Sequence, residues 1–199
     1  MLDNDRARSN TAPIIEPLAR GLLRLKLTAN AVTWIGAVST TFVSLYFIPR
    51  GQFLAAAISY GILASSDLLD GTMARLSNSS GQLGAFLDST LDRFVDAAVV
   101  GAMTYYCVTH NQPTWATASG FIALVTAQIT SYIRAKSESL GIDCRIGIAE
   151  RSERSLIAWI GLLFTGLGYF VINWVLLLLA IASSITVMQR MNHVAKQLS

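Results

Sequence analysis

Residues 66–97 read SDLLDGTMARLSNSSGQLGAFLDSTLDRFVDA. The stretch carries Asp67, Asp70, Asp88, Asp92 and Asp96, and no other acidic residue stands between Glu16 and Glu138. Apolar runs flank it on both sides, at 52–65 and 97–107. Carboxylates in such surroundings are costly unless they face a cavity or a partner. The flanks set the architecture and the carboxylates set the chemistry.

The apolar character extends outward from this stretch. Of the 199 residues, 53% are hydrophobic and only 14% are charged. Soluble domains carry about 25% charged residues, and the mean hydropathy of +0.50 points the same way. A net charge of +3 is too small to suggest nucleic acid. Cys107 and Cys144 lie far apart, without CxxC or Cys/His spacing, so neither a disulfide framework nor a zinc site is expected. The first residues, MLDNDRARSNTAPII, lack the apolar core and small-residue cleavage site of a signal peptide.

A spanning helix needs about 20 mostly apolar residues. Six segments qualify, near 29–48, 53–76, 84–108, 114–135, 155–169 with its flanks, and 171–189. The expected fold is an all-α integral membrane bundle of six helices, with a tight hairpin near Gly166–Tyr169 between the last two. Before the first span, Ile14, Ile15, Leu18, Leu22 and Leu25 approximate one helical face, and Glu16, Arg20 and Arg24 another. That pattern predicts an amphipathic helix lying on the membrane, with Pro17 in or before its first turn. The chain therefore divides into a cytoplasmic N-terminal segment, 1–28, and a transmembrane catalytic domain, 29–199.

Lys and Arg set the orientation. Arg6, Arg8, Arg20, Arg24 and Lys26 precede the first span. Arg134, Lys136, Arg145, Arg151 and Arg154 surround the connection after the fourth, and Arg190 and Lys196 follow the sixth. The opposite side has only Arg50. Both termini, and the turn SNSSGQ at 77–82, are expected in the cytoplasm, with the protein in the plasma membrane.

The second and third spans then run antiparallel around that turn. Asp67 and Asp70 share one helix face, as do Asp88, Asp92 and Asp96. At about 1.5 Å per residue, Asp67 and Asp92 both lie ~12 Å inside the cytoplasmic surface. Clustered carboxylates raise each other's pKa values unless compensated, and the patches hold only Arg75 and Arg93. Divalent cations would compensate, and oxygen donors without His or Cys favour Mg²⁺, Mn²⁺ or Ca²⁺. Gly71 and Ala74 leave space for a ligand beside the acids.

The residues Asp67-x2-Asp70-Gly71-x2-Ala74-Arg75-x8-Gly84-x3-Asp88-x3-Asp92 resemble the signature of the CDP-alcohol phosphotransferases. The resemblance implies that an alcohol attacks the lipid-side phosphate of a CDP-linked lipid and CMP leaves. It implies two Mg²⁺ or Mn²⁺ ions on Asp67, Asp70, Asp88 and Asp92, with Asp92 also the general base. Gly71, Ala74, Arg75 and Gly84 would line the nucleotide site. LTANAVTWIG, 27–36, is similar to the family's Thr-Pro-Asn-x-x-Thr segment, with Ala29 where proline is usual. Asn30 and Thr33 are therefore either nucleotide contacts or caps of the first helix. Asp96 lies outside the motif and is expected to join two helices.

Ser131-Tyr132-Ile133-Arg134-Ala135-Lys136 and Glu150-Arg151-Ser152-Glu153-Arg154 resemble segments of actinobacterial phosphatidylinositol-phosphate synthases. That resemblance implies transfer from CDP-diacylglycerol to inositol 1-phosphate. Ser131, Arg134, Arg151, Arg154 and Arg190 would bind the acceptor's phosphate. Glycerol 3-phosphate is the alternative acceptor, since a basic pocket suits either. The family also implies a homodimer among membrane lipids. A cation transporter would place acids near the midplane with a polar outlet, and the far side offers none.

Overall fold

A computed structural model of the chain describes residues 15–64, 66–77 and 81–198, with side chains for all of these except 66–68. The described residues form helices and no strands. They are α1 (15–24), α2 (Ala29–Phe47), a 3₁₀ turn (Ile48–Arg50), α3 (Phe53–Ala64), α4 (Ser66–Leu76), α5 (Gln82–Thr109), α6 (Thr114–Ser139), α7 (Arg151–Gly166) and α8 (Ile172–Leu198). The chain divides into two units, one of residues 1–40 and 61–95, the other of 41–60 and 96–199.

Within the first unit, α1 ends in a reciprocal turn. Leu27 N–H reaches Leu22 O, and Lys26 N–H reaches Leu23 O. Lys26 holds the left-handed conformation, φ 61°, that such an ending requires. This turn sends the chain into α2, whose first turn is capped by Thr28 Oγ1, 3.2 Å from Ala31 N. Ala19 packs with Ala29, Val32 and Met73, flanked by Leu22, Leu23, Leu27, Leu69 and Ala74. Leu18 and Leu25 are instead exposed. The apolar face expected from Ile14 to Leu25 is thus split: Leu22 turns to protein, Leu18 and Leu25 turn outward, and Ile14 lies outside the described residues.

In the second unit, α6 packs along α8, and α7 packs on α8 as well. The inner face of α6 is small: Ala116, Ser119, Gly120, Ala123, Ala127 and Thr130 are buried at helical spacing. Small residues let helix backbones approach closely, as they do in membranes. At Gly120 a Cβ would stand 2.2 Å from Thr104 Oγ1 of α5, and at Gly166 one would stand 2.4 Å from the Leu54 backbone nitrogen. Trp159 of α7 donates its indole N–H to Ala57 O, 2.9 Å away.

The outer face of α8 is as apolar as its inner face. Leu176, Leu179 and Ala180 are buried, while Trp174, Leu178, Ile181, Ile185 and Met188 are exposed. A helix apolar all round belongs in hydrocarbon. Among the described residues, four segments are long and apolar enough to cross a membrane: Ala29–Arg50, Phe53–Leu76, Thr114–Ser139 and Ile172–Leu198. The other two segments expected to span differ for physical reasons. The first half of α5 carries Asp88, Asp92, Arg93 and Asp96, and α7 has only 16 residues.

Two boundaries differ from the apolar pattern. α7 begins at Arg151, four residues before the apolar run, because the Glu153 carboxylate accepts from the Glu150 N–H and closes a capping box. α8 continues nine residues past 189, to Leu198, as a helix that has left its apolar segment.

Candidate active site

α2, α4 and the start of α5 line an open cavity of about 690 Å³. Asn30 and Thr33 of α2 border it, as do Asp70, Gly71 and Ala74 of α4, and Gly84 and Asp88 of α5. Seven of the residues singled out in the sequence therefore meet around one space. Gly81, Gln82 and Ala85 also line it, without any signal in their own chemistry.

Asp70 is buried, and the Thr33 hydroxyl lies 2.6 Å from its Oδ2. The same hydroxyl lies 3.1 Å from Ala29 O, one turn back on α2. Since Thr28 caps α2, Asn30 and Thr33 are released from that task and face the cavity instead. At Gly84 a Cβ would come within 3.3 Å of Asn30 Oδ1, so a larger residue would press on that amide. At Gly71 the nearest atom to such a Cβ is Arg75 Nη1, at 3.8 Å. Arg75 is exposed, with its Nη2 2.9 Å from Thr72 Oγ1.

Asp88 is exposed on the cavity wall. Asp92, one turn further along α5, is half-buried, with Oδ2 3.7 Å from Arg93 Nη1. The side chain of Asp67 lies outside the described residues. Among the described residues no three His, Cys, Asp or Glu side chains form a metal-holding group. The carboxylates of Asp70 and Asp88 border the same cavity, and hard oxygen donors of that kind suit Mg²⁺ or Mn²⁺.

The proposed acceptor residues lie in the second unit, and backbone carbonyls hold the innermost of them. Arg190 is buried, with Nε 2.8 Å from Ile146 O and Nη1 2.6 Å from Thr130 O. Arg154 is buried too, with Nη1 2.9 Å from Ala149 O. The Ala149 N–H in turn donates to Thr186 Oγ1, 3.1 Å away on α8. These bonds draw the last turns of α6, the start of α7 and the second half of α8 together around the 140–150 loop. Gly147 permits this path, with φ +137° and space for a Cβ only 2.4 Å from Thr186 Cγ2.

The remaining acceptor candidates sit nearer the surface. Ser131 Oγ lies 3.4 Å from Ala127 O. Arg134 pairs with Glu138 at 3.0 Å. Arg151 Nε lies 3.8 Å from Asp96 Oδ1. Asp96 also meets Arg154 Nη2 at 3.7 Å and Ser155 Oγ at 3.4 Å, so it joins α5 to α7 as expected.

The chain is 38% identical over 180 residues to the phosphatidylinositol phosphate synthase of Corynebacterium glutamicum, covering 89% of this chain and 82% of that one. It is 40% identical over 195 residues to the phosphatidylinositol phosphate synthase of Cutibacterium acnes, covering 92% and 93%. The fold is similar to the crystal structure of Mycobacterium tuberculosis phosphatidylinositol phosphate synthase with CDP-DAG bound. The TM-score is 0.88 at 35% identity, covering 92% of this chain and 94% of that one. The same enzyme in complex with manganese and citrate also gives 0.88, at 34% identity and 92% and 89% coverage. Residues 26–186, which include every border of the large cavity, match the CDP-alcohol phosphatidyltransferases, and the chain belongs to that family of transferases.

Proposed function

We propose that this enzyme transfers the phosphatidyl group from CDP-diacylglycerol to a hydroxyl of inositol 1-phosphate, releasing CMP and phosphatidylinositol phosphate. The observation that carries this reading is the cavity where Asp70 and Asp88 meet Gly71, Ala74 and Gly84, in a chain so similar to phosphatidylinositol phosphate synthases. Asp67, Asp70, Asp88 and Asp92 would hold two Mg²⁺ or Mn²⁺ ions, which when bound supply neutralising charge to the donor's pyrophosphate. The small residues Gly71, Ala74 and Gly84 admit the nucleotide beside the helices. Asn30 offers an amide to it, Thr33 orients Asp70, and Arg75 balances phosphate charge.

The reaction joins the acceptor oxygen to the lipid-side phosphorus and breaks that phosphorus's bond to the oxygen of CMP. The acceptor's proton passes to the Asp92 carboxylate. A positioned base of this kind contributes typically ~10²–10⁴-fold. Ser131, Arg134, Arg151, Arg154 and Arg190 receive the acceptor's own phosphate. The bonds that tie Arg190 to Thr130, beside Ser131, and Arg154 to Ala149 support one acceptor region built from α6, α7 and α8.

The surrounding architecture completes the proposal. Six crossings, with α5 and α7 added to the four long apolar segments, place both termini and the basic residues on the cytoplasmic side of the plasma membrane. α1 lies at the interface with Leu18 and Leu25 toward lipid. The working unit is a homodimer.

The acceptor region is tested by Arg154→Gln. A charge-assisted hydrogen bond contributes about 1.5–3 kcal/mol, so kcat/KM for inositol 1-phosphate should fall ~10–150-fold. Affinity for CDP-diacylglycerol should hardly change. Lys196→Gln, on the exposed end of α8, should alter neither. Equal small losses in both variants, relieved by anionic lipid, would make the basic cluster a headgroup-binding surface. A loss confined to glycerol 3-phosphate, with inositol 1-phosphate never used, would keep the pocket and replace the acceptor.

A further inference from the structure

Asp96 lies outside the acidic motif, and the transfer step does not require it. Its carboxylate is nevertheless where the start of α7 is gathered. Oδ1 lies 3.4 Å from Ser155 Oγ and 3.8 Å from Arg151 Nε, and Oδ2 lies 3.7 Å from Arg154 Nη2. Positions 151, 154 and 155 share one helical face, so a single carboxylate reaches all three. Its side chain is only 12% exposed and that of Arg154 only 7%, so solvent screens that pair weakly, whereas Arg151, 34% exposed, is screened more.

The space between these groups decides what Asp96 can touch. Asp96, Arg154, Ser155, Tyr60 and Ser183 border a cavity of about 20 Å³. That holds roughly one water and is too small for a phosphate group. A phosphate reaching the arginines from another side would be affected by Asp96 only through them. The wall is otherwise mostly apolar, and Ser183, fully buried, has a hydroxyl that finds no hydrogen-bond partner among the described residues.

Charge gives the reason for the arrangement. Two guanidinium groups converging on one phosphate repel each other before it arrives. A carboxylate within 4 Å of both offsets that repulsion, limits their rotamers and leaves one net positive charge for the ligand. Arg154 is held from a second side by Ala149 O, so its guanidinium is fixed at both ends of its plane.

We propose that Asp96 is a positioning residue for the acceptor, its carboxylate fixing the guanidinium groups of Arg151 and Arg154 in the geometry that receives the phosphate of inositol 1-phosphate. The proposal rests on the assignment of those arginines to the acceptor's phosphate.

The test is a double-variant cycle with Asp96→Asn, Arg154→Gln and both together, varying inositol 1-phosphate at saturating CDP-diacylglycerol. Asp96→Asn should raise the acceptor KM about 10-fold, through loss of a weakly screened ion pair rather than of a hydrogen bond, with the KM for CDP-diacylglycerol unchanged. The double variant should fall well short of the product of the single effects, since Asp96 works through Arg154. KM does not depend on how much of a sample is folded, so partial unfolding of Asp96→Asn does not obscure the result. If that variant cannot be purified, Asp96→Glu keeps the charge, displaces it by one methylene and should raise the acceptor KM several-fold. Fully multiplicative effects, an unchanged acceptor KM in the Asp96 variants, or a lower one would overturn the proposal. If Arg154→Gln itself leaves the acceptor KM unchanged, the arginine assignment fails and this inference fails with it. If only the Asp96 variants leave it unchanged, the arginine assignment stands alone.

Discussion

Excess EDTA is expected to bring CMP release from CDP-diacylglycerol to background, and Mg²⁺ or Mn²⁺ in excess of the chelator to restore it. The reason is local charge. Asp70 is buried against Thr33, Asp88 borders the same cavity, and Asp92 follows one turn later beside Arg93. A donor pyrophosphate brings further negative charge into that space. Without divalent cations the carboxylates and the phosphates repel each other, and nothing on α4 or the start of α5 besides Arg75 and Arg93 opposes them. Thermal unfolding in the same EDTA separates lost chemistry from lost structure. Full transfer activity in excess chelator would end the assignment of these aspartates to metal.

Asp92→Asn should lower kcat at least ~10²-fold, the minimum expected when a positioned base is removed. The amide keeps the side chain's size and one oxygen that can face a cation, but it cannot take the acceptor's proton. The dissociation constant for CDP-diacylglycerol should stay close to that of the unaltered protein, because the cavity proposed for the nucleotide is bordered by residues from Ala29 to Asp88 and not by Asp92. A variant that turns over normally shows that Asp92 is not the base. A variant that no longer binds the donor shows that Asp92 serves the metal alone.

The apolar runs and the spacing of the aspartates were legible because both are local. Apolar runs of about 20 residues placed the cores of α2, α6 and α8, and small residues beside Asp70 and Asp88 marked the cavity wall. What escaped depends on contacts between distant residues. Thr33 and Asp70 are 37 residues apart, and nothing at either position announces the 2.6 Å bond between them. Arg154 and Arg190 read from the sequence as ligand-binding charges, yet both also bond to carbonyls of the 140–150 region, and Arg190 to Thr130 as well. Hydropathy likewise misplaced the ends of α7 and α8. One starts at a capping box of two glutamates, and the other continues as a polar helix beyond its apolar segment. Asp96 shows both sides. Its stripe with Asp88 and Asp92 was visible, but its three partners on α7 were not.

The central claim concerns which alcohol receives the phosphatidyl group. The direct measurement offers purified protein CDP-diacylglycerol with Mg²⁺ and, in parallel, inositol 1-phosphate, glycerol 3-phosphate, inositol and serine, and follows CMP release and the lipid product. The account predicts rapid release with inositol 1-phosphate and formation of phosphatidylinositol phosphate, with little from glycerol 3-phosphate and none from the two alcohols that lack a phosphate for Arg151, Arg154 and Arg190. Preferred use of glycerol 3-phosphate, or equal use of free inositol, would contradict it.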